Sequence, residues 1–348
     1  MGDLTTLAAR LRAGSDLTVA EAGSAAAALA SDGPPDDAKA DFLSALAGKG
    51  ETVPEIVSFA RAFRALARDP GVSAWSDRAV DIVGTGGDHS GGFNVSSVVT
   101  LVVASAGVPV MKHGNRGITS RSGSADMFAG FGVNLEAPPA KQGAALASLG
   151  YVFFFAPSWH PAFKHVGPAR RILAARGERS VFNILGPLVN PGRPAHVLLG
   201  AASPQLAETL ALALDQLGTR AGLAVHGVIS PGKGIDELTT ATSNIVHGAG
   251  RLKTLNAEWT PESLGLERSP FTDIAGGDVA QNLAVVEKLA AGGGPRGLAD
   301  TVALNGAAAL WLAGARPDVR GAVAEARDLL LGGAVRKKLA DTRDFYAV

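Results

Sequence analysis

Ala79-Val80-Asp81-Ile82-Val83-Gly84-Thr85-Gly86-Gly87-Asp88 is the stretch at which the chain changes character. Its first five residues form a short β-rich run, and a glycine-dense turn follows at once. Ser90-Gly91-Gly92-Phe93-Asn94-Val95-Ser96-Ser97 then leads into a helix through Ser105, capped by Asn94 and ended by Gly107. Upstream, residues 4 to about 68 carry helical periodicity and no strand signal. Leu4, Leu7, Ala8 and Leu11 share one face. Thr18 with Glu21 makes a capping box for an Ala-rich helix that ends near Ser31-Asp32-Gly33-Pro34-Pro35. Phe42, Leu43 and Leu46 mark a third helix, and Ile56, Phe59, Ala60 and Phe63 a fourth, opened by Thr52, Pro54 and Glu55. Downstream, strands at 108–111, 151–155, 196–201 and 221–226 alternate with helices such as 204–217, which predicts an α/β fold with a mainly parallel central sheet. Residues 244–246 and 252–255, split by Gly248 and Gly250, predict a hairpin. The last third reads as helices over 279–291, 299–312 and 319–331.

Composition narrows the function. The 348 residues carry 32 Lys+Arg against 32 Asp+Glu, so no positive field is available for broad nucleic-acid or anionic-membrane binding. With no Cys, disulfides, cysteine-ligated zinc, Fe–S clusters and a thiol nucleophile are excluded. A hydrophobic share of 47% supports a full core, and 5% aromatics rules out a design built on stacking platforms. Residues 1–16 lack the basic start and apolar run of a signal peptide. Met1-Gly2-Asp3-Leu4-Thr5-Thr6 fits the loose myristoylation pattern, but no second anchor follows. The most apolar stretch, 95–111, is interrupted by Ser96, Ser97, Thr100, Ser105, Gly107 and Pro109. The expectation is a soluble cytoplasmic protein.

Three clusters can carry chemistry. Gly84 to Asp88 and Ser90 to Ser97 bring backbone N–H groups, a helix start and polar side chains to one place. That suits a phosphate or diphosphate, although a tight strand–helix turn alone accounts for Gly-Thr-Gly-Gly. Lys112-His113-Gly114-Asn115-Arg116, with Ser120, Ser122, Gly123 and Ser124, follows the next strand and should lie beside the first loop, because ends of parallel strands converge. Asp236-Glu237 follows Gly232-Lys233-Gly234; the pair suits Mg2+, or else the first turn of a helix. A further polar group, His160-Pro161-Ala162-Phe163-Lys164-His165 with Arg170-Arg171, offers a guanidinium suited to a carboxylate. Neither a His-x-x-x-His zinc pattern nor a Gly-x-Ser-x-Gly elbow is present.

Together with Ser122-Gly123-Ser124-Ala125-Asp126, Phe182-Asn183-Ile184-Leu185-Gly186-Pro187-Leu188, Asn190-Pro191 and Leu304-Asn305, these motifs resemble the anthranilate phosphoribosyltransferases, from the N-terminal helices to about Gly314. The resemblance implies a small all-helical N-terminal domain, 1–75, with residues 161–185 packed back onto it, and a large α/β domain, 76–348. It implies a homodimer through the helical domain and Mg2+ as cofactor. The implied reaction moves phosphoribosyl from 5-phospho-α-D-ribose 1-diphosphate to the amine of anthranilate in tryptophan biosynthesis. Gly84, Gly87, Asp88, Asn94, Val95, Ser96 and Ser97 match the family's first diphosphate-sugar loop. Lys112, His113, Gly114, Asn115, Arg116, Gly117, Ile118, Thr119, Ser120 and Ser124 match its second. Gly84, Asn115 and Arg170 match the anthranilate positions, and Ser96, Asp236 and Glu237 the metal positions. No acid–base residue is required, His113 being the one candidate. Gly91-Gly92 stand where the family usually has a Thr, Ser97 replaces a usual Thr, and the segments 174–177 and 228–233 are longer than usual. The competing readings are a related transferase for another aromatic amine, a pyrimidine nucleoside phosphorylase, and a non-catalytic nucleic-acid-binding paralogue. Zero net charge and the retained Asp236-Glu237 speak against the last.

Overall fold

The computed structural model describes residues 3–117 and 121–347, and the chain forms two compact units, each assembled from two stretches. One unit comprises Met1–Asp69 and Ala156–Pro191, the other Pro70–Phe155 and Gly192–Val348. Residues 70–75, read from sequence with the helical part, thus belong to the second unit, and the returning segment extends beyond 161–185 at both ends.

The first unit is helical. Leu4–Arg12, Val19–Leu29, Asp36–Lys49 and Val53–Ala65 form helices, with the Thr18–Glu21 capping box in place. The returning segment adds the helix Gly167–Ala175, which packs on Asp36–Lys49. Phe63 meets Phe163 and Phe182 with ring centroids 5.2 and 5.1 Å away, so the first stretch completes its core only with the second. Glu55, buried to 1% exposure, organises the polar side of this unit. Its carboxylate accepts from the N–H of Leu17 at 2.8 Å, the N–H of Thr52 at 2.8 Å and the Lys49 ammonium at 2.9 Å.

The second unit is built on eight strands among the described residues, in the spatial order β3-β2-β1-β4-β5-β7-β8, with β6 paired to β5. These are β1 (Val80–Gly84), β2 (Val110–Gly114), β3 (Tyr151–Phe155), β4 (His196–Gly200), β5 (Ala221–Ser230), β6 (Lys233–Ile235), β7 (Asn244–Gly250) and β8 (Asn256–Trp259). β1 to β5 run parallel, and β6 to β8 are antiparallel additions. The helices Val95–Ser105 and Arg296–Leu312 are almost wholly buried against the sheet and each other. Among the described residues no helix is long and apolar enough to cross a membrane.

Local expectations are corrected at the hairpin and in the C-terminal helices. The hairpin pairs β7 with β8, and 252–255 is its turn rather than its second strand. Gly248 is not a break: a Cβ there would lie 1.9 Å from the Leu252 carbonyl oxygen, so glycine lets the turn fold onto the strand. The chain also ends in a helix, Ala334–Ala347, that the sequence pattern does not announce, and the helix expected from 299 begins at Arg296.

Removing the Glu55 carboxylate would leave the N–H groups of Leu17 and Thr52 without their acceptor and the Lys49 ammonium with Asp16 alone. Glu55→Ala should lower the unfolding free energy by about 3 kcal/mol in urea denaturation. A loss below about 1 kcal/mol would show that water replaces the carboxylate at little cost.

Candidate active site

In the strand order 3-2-1-4-5, the chain reverses its direction of progress between β1 and β4. A crevice opens at the carboxyl ends of strands at such a point. Here Gly84 and Gly200 are register partners at those ends, and the segment leaving β6 crosses directly over both. A Cβ on Gly200 would lie 1.5 Å from the Asp236 carbonyl oxygen, and one on Gly84 would lie 2.3 Å from the Asp236 carboxylate. Gly227 of β5 gives the same clearance to Glu237, whose carbonyl oxygen would be 2.4 Å from a Cβ. Gly200 and Gly227 carry no role in the sequence reading, because their partner lies far along the chain.

The crossing brings the acidic pair to the first glycine loop. Asp236 accepts from the N–H of Gly86 at 2.7 Å and donates its own N–H to Asp88 at 3.1 Å, while Glu237 accepts from the N–H of Ser96 at 3.0 Å. The pair follows a strand, so the helix-start alternative does not apply. Asn305, fully buried on the helix Arg296–Leu312, accepts from the N–H of Leu238 at 3.1 Å and donates to its carbonyl at 2.8 Å. That grip fixes the main chain one residue beyond Glu237.

Lys112 differs from expectation. It is a residue of β2, 1% exposed, and not part of the loop that follows. Its ammonium donates to the Ile82 carbonyl and, at 3.1 Å, to the Ser96 hydroxyl. Burial holds its pKa below the usual lysine range, opposed by the charges of Asp81, Glu237 and Asp236. Burial likewise pushes the carboxyls up, Asp236 to about 7 with help from Asp88, and Glu237 to about 8 with help from Asp236. Three carboxylates thus act on one ammonium, and Asp88 adds a fourth negative group to the cluster.

Among the described residues, no three or more His, Cys, Asp or Glu side chains form a ready metal cage. Mg2+ does not need one, since it takes one or two carboxylates and completes its shell with water and substrate phosphate. The donors at hand are hard oxygens in negative excess, so they fit that ion. Nearby, the Ser97 hydroxyl is fully buried with no hydrogen-bond partner among the described residues.

Asn94 does not cap the helix through its side chain; its amide donates to the Ser122 carbonyl at 3.0 Å and so links the two loops. Val95 is buried core, leaving only its main chain for any ligand. Gly92 packs beneath Ile235: a Cβ there would lie 2.4 Å from the Ile235 side chain, which excludes a threonine unless Ile235 moves. His113 is a β2 residue, 3% exposed, with its N–H 3.4 Å from Asp81. A Cβ on Gly114 would lie 2.2 Å from the Ser124 hydroxyl. Asn115, Arg116 and Gly117 are exposed; Asp126 orders them by pairing with Arg116 at 2.8 Å and accepting from Gly117 and Gly123. In the sequence Asp126 stands out only as part of a motif. Ile118, Thr119 and Ser120 lie outside the described residues.

Of the three acceptor positions that the resemblance implies, Gly84 and Asn115 belong to the α/β unit and Arg170 to the helical unit. Arg170 is half-buried, with its guanidinium 5.9 Å from the Phe182 ring centre, and has no carboxylate partner among the described residues. Burial lowers its pKa from the usual arginine range. The neighbouring histidines are otherwise engaged. His160 stacks on Phe163 and is pushed down to about 4 by burial, while His165 pairs with Asp32.

The raised carboxyls make stability fall with pH. Each binds its proton more tightly in the folded chain, so their contribution is complete below the ordinary carboxylate range and is lost as pH rises through about 7 and 8. With chelator present, urea denaturation of the parent should show falling stability from about pH 5 to about pH 9, and Asp236→Asn with Glu237→Gln should flatten that slope. An unchanged slope in the double variant would place the titration elsewhere.

The sequence and fold have close counterparts. A family model described as the glycosyl transferase family, a/b domain, matches residues 76–336, and one for the helical bundle domain of the same family matches 5–67. The anthranilate phosphoribosyltransferase of Deinococcus radiodurans is 42% identical over 291 residues, 84% of this chain and 83% of the relative. The crystal structure of the Thermus thermophilus enzyme superposes with a TM-score of 0.87 at 38% identity, over 98% of this chain and 99% of the other. The Saccharomyces cerevisiae enzyme in complex with PRPP and Mg shares the fold, with a TM-score of 0.78 at 22% identity over 99% and 93% of the two chains. By these likenesses the chain belongs to the anthranilate phosphoribosyltransferases, glycosyltransferases of tryptophan biosynthesis.

Proposed function

We propose that this chain transfers phosphoribosyl from 5-phospho-α-D-ribose 1-diphosphate to anthranilate through the residues gathered at the β1–β4 crevice, with Mg2+ as cofactor. The observation that carries the reading is the acidic pair laid across Gly84 and Gly200, beside two loops rich in main-chain donors. In the reaction the bond from the anomeric carbon to the diphosphate oxygen breaks, and its electron pair leaves with diphosphate. The amine lone pair forms the new C–N bond, and the nitrogen then gives a proton to water. Positive charge grows on the ribose ring and negative charge on the leaving group.

Main-chain N–H groups of the first loop and the start of the helix Val95–Ser105 face the growing negative charge. Lys112 acts from within the sheet, holding Ser96 and balancing the carboxylates. Asn115, Arg116, Gly117 and Ser124 of the second loop would supply further donors. Asp88, Ser96, Asp236 and Glu237 would hold Mg2+, which supplies charge neutralisation at the diphosphate. The Saccharomyces cerevisiae structure with PRPP and Mg supports both ligands. A strong base is unnecessary, because an aromatic amine is neutral at pH 7 and binding in line provides most of the rate. His113 is accordingly not assigned proton transfer.

Arg170 is the acceptor-binding residue in this reading. A desolvated guanidinium without a carboxylate of its own is suited to the ionised carboxylate of anthranilate, which orients the neighbouring amine. The assay is loss of anthranilate fluorescence with the diphosphate sugar and Mg2+. Arg170→Lys should raise the KM for anthranilate and lower kcat. Arg170→Ala should lower kcat/KM by about 30-fold or more, with the KM for the diphosphate sugar within about twofold of the parent. Parent-like kinetics in both variants would remove the acceptor assignment.

The assembly read from the family is a cytoplasmic homodimer formed through the helical unit, where Val19 stands 67% exposed. Light scattering at micromolar concentration should return twice the chain mass, and Val19→Glu should shift the population toward monomer; a parent of single-chain mass would contradict it.

A further inference from the structure

Three segments of the α/β unit converge beside the acidic pair: the first glycine loop, the second loop around Ser122, and residues 274–277. The first and third are joined through the main chain. Phe93 donates its N–H to the Ile274 carbonyl at 2.9 Å, and Gly276 donates to Gly91 at 2.8 Å. Gly92 bridges to Ala275, and a Cβ on Gly276 would lie 2.5 Å from the Gly92 carbonyl oxygen. A side-chain route then runs onward to the second loop.

Asn282 begins that route. It lies in the first turns of the helix Val279–Ala290 and is 3% exposed. Its Oδ1 accepts from the N–H of Gly277 at 2.8 Å, and its Nδ2 donates to the Gly277 carbonyl at 3.4 Å. A peptide N–H can only donate and a carbonyl can only accept, so these contacts fix which end of the amide is which. The same Nδ2 donates to Asn94 Oδ1 at 3.0 Å. Asn94 must therefore turn its own Nδ2 the other way, where it donates to the Ser122 carbonyl at 3.0 Å. Reversing the Asn94 amide would set two acceptor oxygens against each other at the second loop. The main chain of one residue of the third segment, Gly277, thus dictates, through two amides in series, the polarity of the contact between the two loops.

We propose that Asn282 is a positioning residue for the diphosphate-sugar site: by fixing the sense of the Asn94 amide it ties the second loop to the first. The proposal rests on the reading of those loops given above. It distinguishes Asn282 from an ordinary buried asparagine, because its effect passes through Asn94 and falls on one substrate.

The test uses the full chain with both substrates varied. Asn282→Ala should raise the KM for the diphosphate sugar about tenfold, with the KM for anthranilate within about twofold of the parent. Asn282→Asp should be worse than alanine at similar thermal stability. The carboxylate still accepts from Gly277 but has no donor for Asn94, which would then reverse and oppose the Ser122 carbonyl. In the Asn94→Ala background, Asn282→Ala should add nothing further. Hydrogen exchange of the peptide containing Ser122 reads the same link without substrate, and should quicken in both single variants. Additive effects of the two alanine variants, equal changes in both KM values, or unaltered exchange near Ser122 would each overturn the proposal. An inactive parent with quickened exchange in the variants would instead count against the reaction and leave the loop link supported.

Discussion

The main chain at Asp236 crosses the carboxyl end of β4 at a distance that no side chain at Gly200 would permit, and its carboxylate lies where a side chain at Gly84 would stand. That clearance is a steric condition, set by two hydrogen atoms standing where methyl groups would be. Once it is met, the Asp236 carboxylate reaches the N–H of Gly86, Asp236 donates to Asp88, and Glu237 reaches the first turn of the helix Val95–Ser105. The acidic pair, the glycine loop and the helix start become one assembly because two strands end flush. Asn305 then anchors the following residue from the far side of the core, so the crossing is held at both its floor and its exit.

The assembly gathers charge that it does not balance. Asp81, Asp88, Asp236 and Glu237 cluster about the buried ammonium of Lys112, and the two crossing carboxyls hold protons well above their ordinary range. Folding tolerates this through hydrogen bonds to main-chain donors and the packing beneath. The residual repulsion then has a functional direction. Any cation that binds the folded chain and relieves it stabilises the fold by the same free energy with which it binds. A site left short of positive charge is thereby suited to a ligand that brings a cation with it.

Much of this is legible in the sequence. The strand before Gly84, the glycine loop, the helix start at Val95 and the parallel strand order follow from local pattern, because each depends on neighbours within a few residues. What escapes depends on pairs far apart. Lys112 reads as a loop cation because its run ends in polar residues, yet the carboxylates that allow it to be buried come from β1 and from the distant Asp236-Glu237. Gly200 and Gly227 look like ordinary strand glycines until Asp236 and Glu237 lie on top of them. Gly248 and Gly250 read as breaks, when one of them makes room for a turn. Arg170 is recognisable as a guanidinium, but its lack of a carboxylate neighbour is a property of three dimensions.

The helical unit is made from two stretches separated by 86 residues of the other unit. Phe63 finds Phe163 and Phe182 only when the second stretch arrives. On a ribosome adding about 10 residues per second, the first four helices emerge roughly 10 s before the residues that close their core. Throughout that interval their apolar faces stand open to other proteins, so the early life of this chain depends on how it is sheltered during synthesis. The same interleaving means that no contiguous excision yields the helical unit intact, and any exchange of that unit between relatives must carry both pieces together.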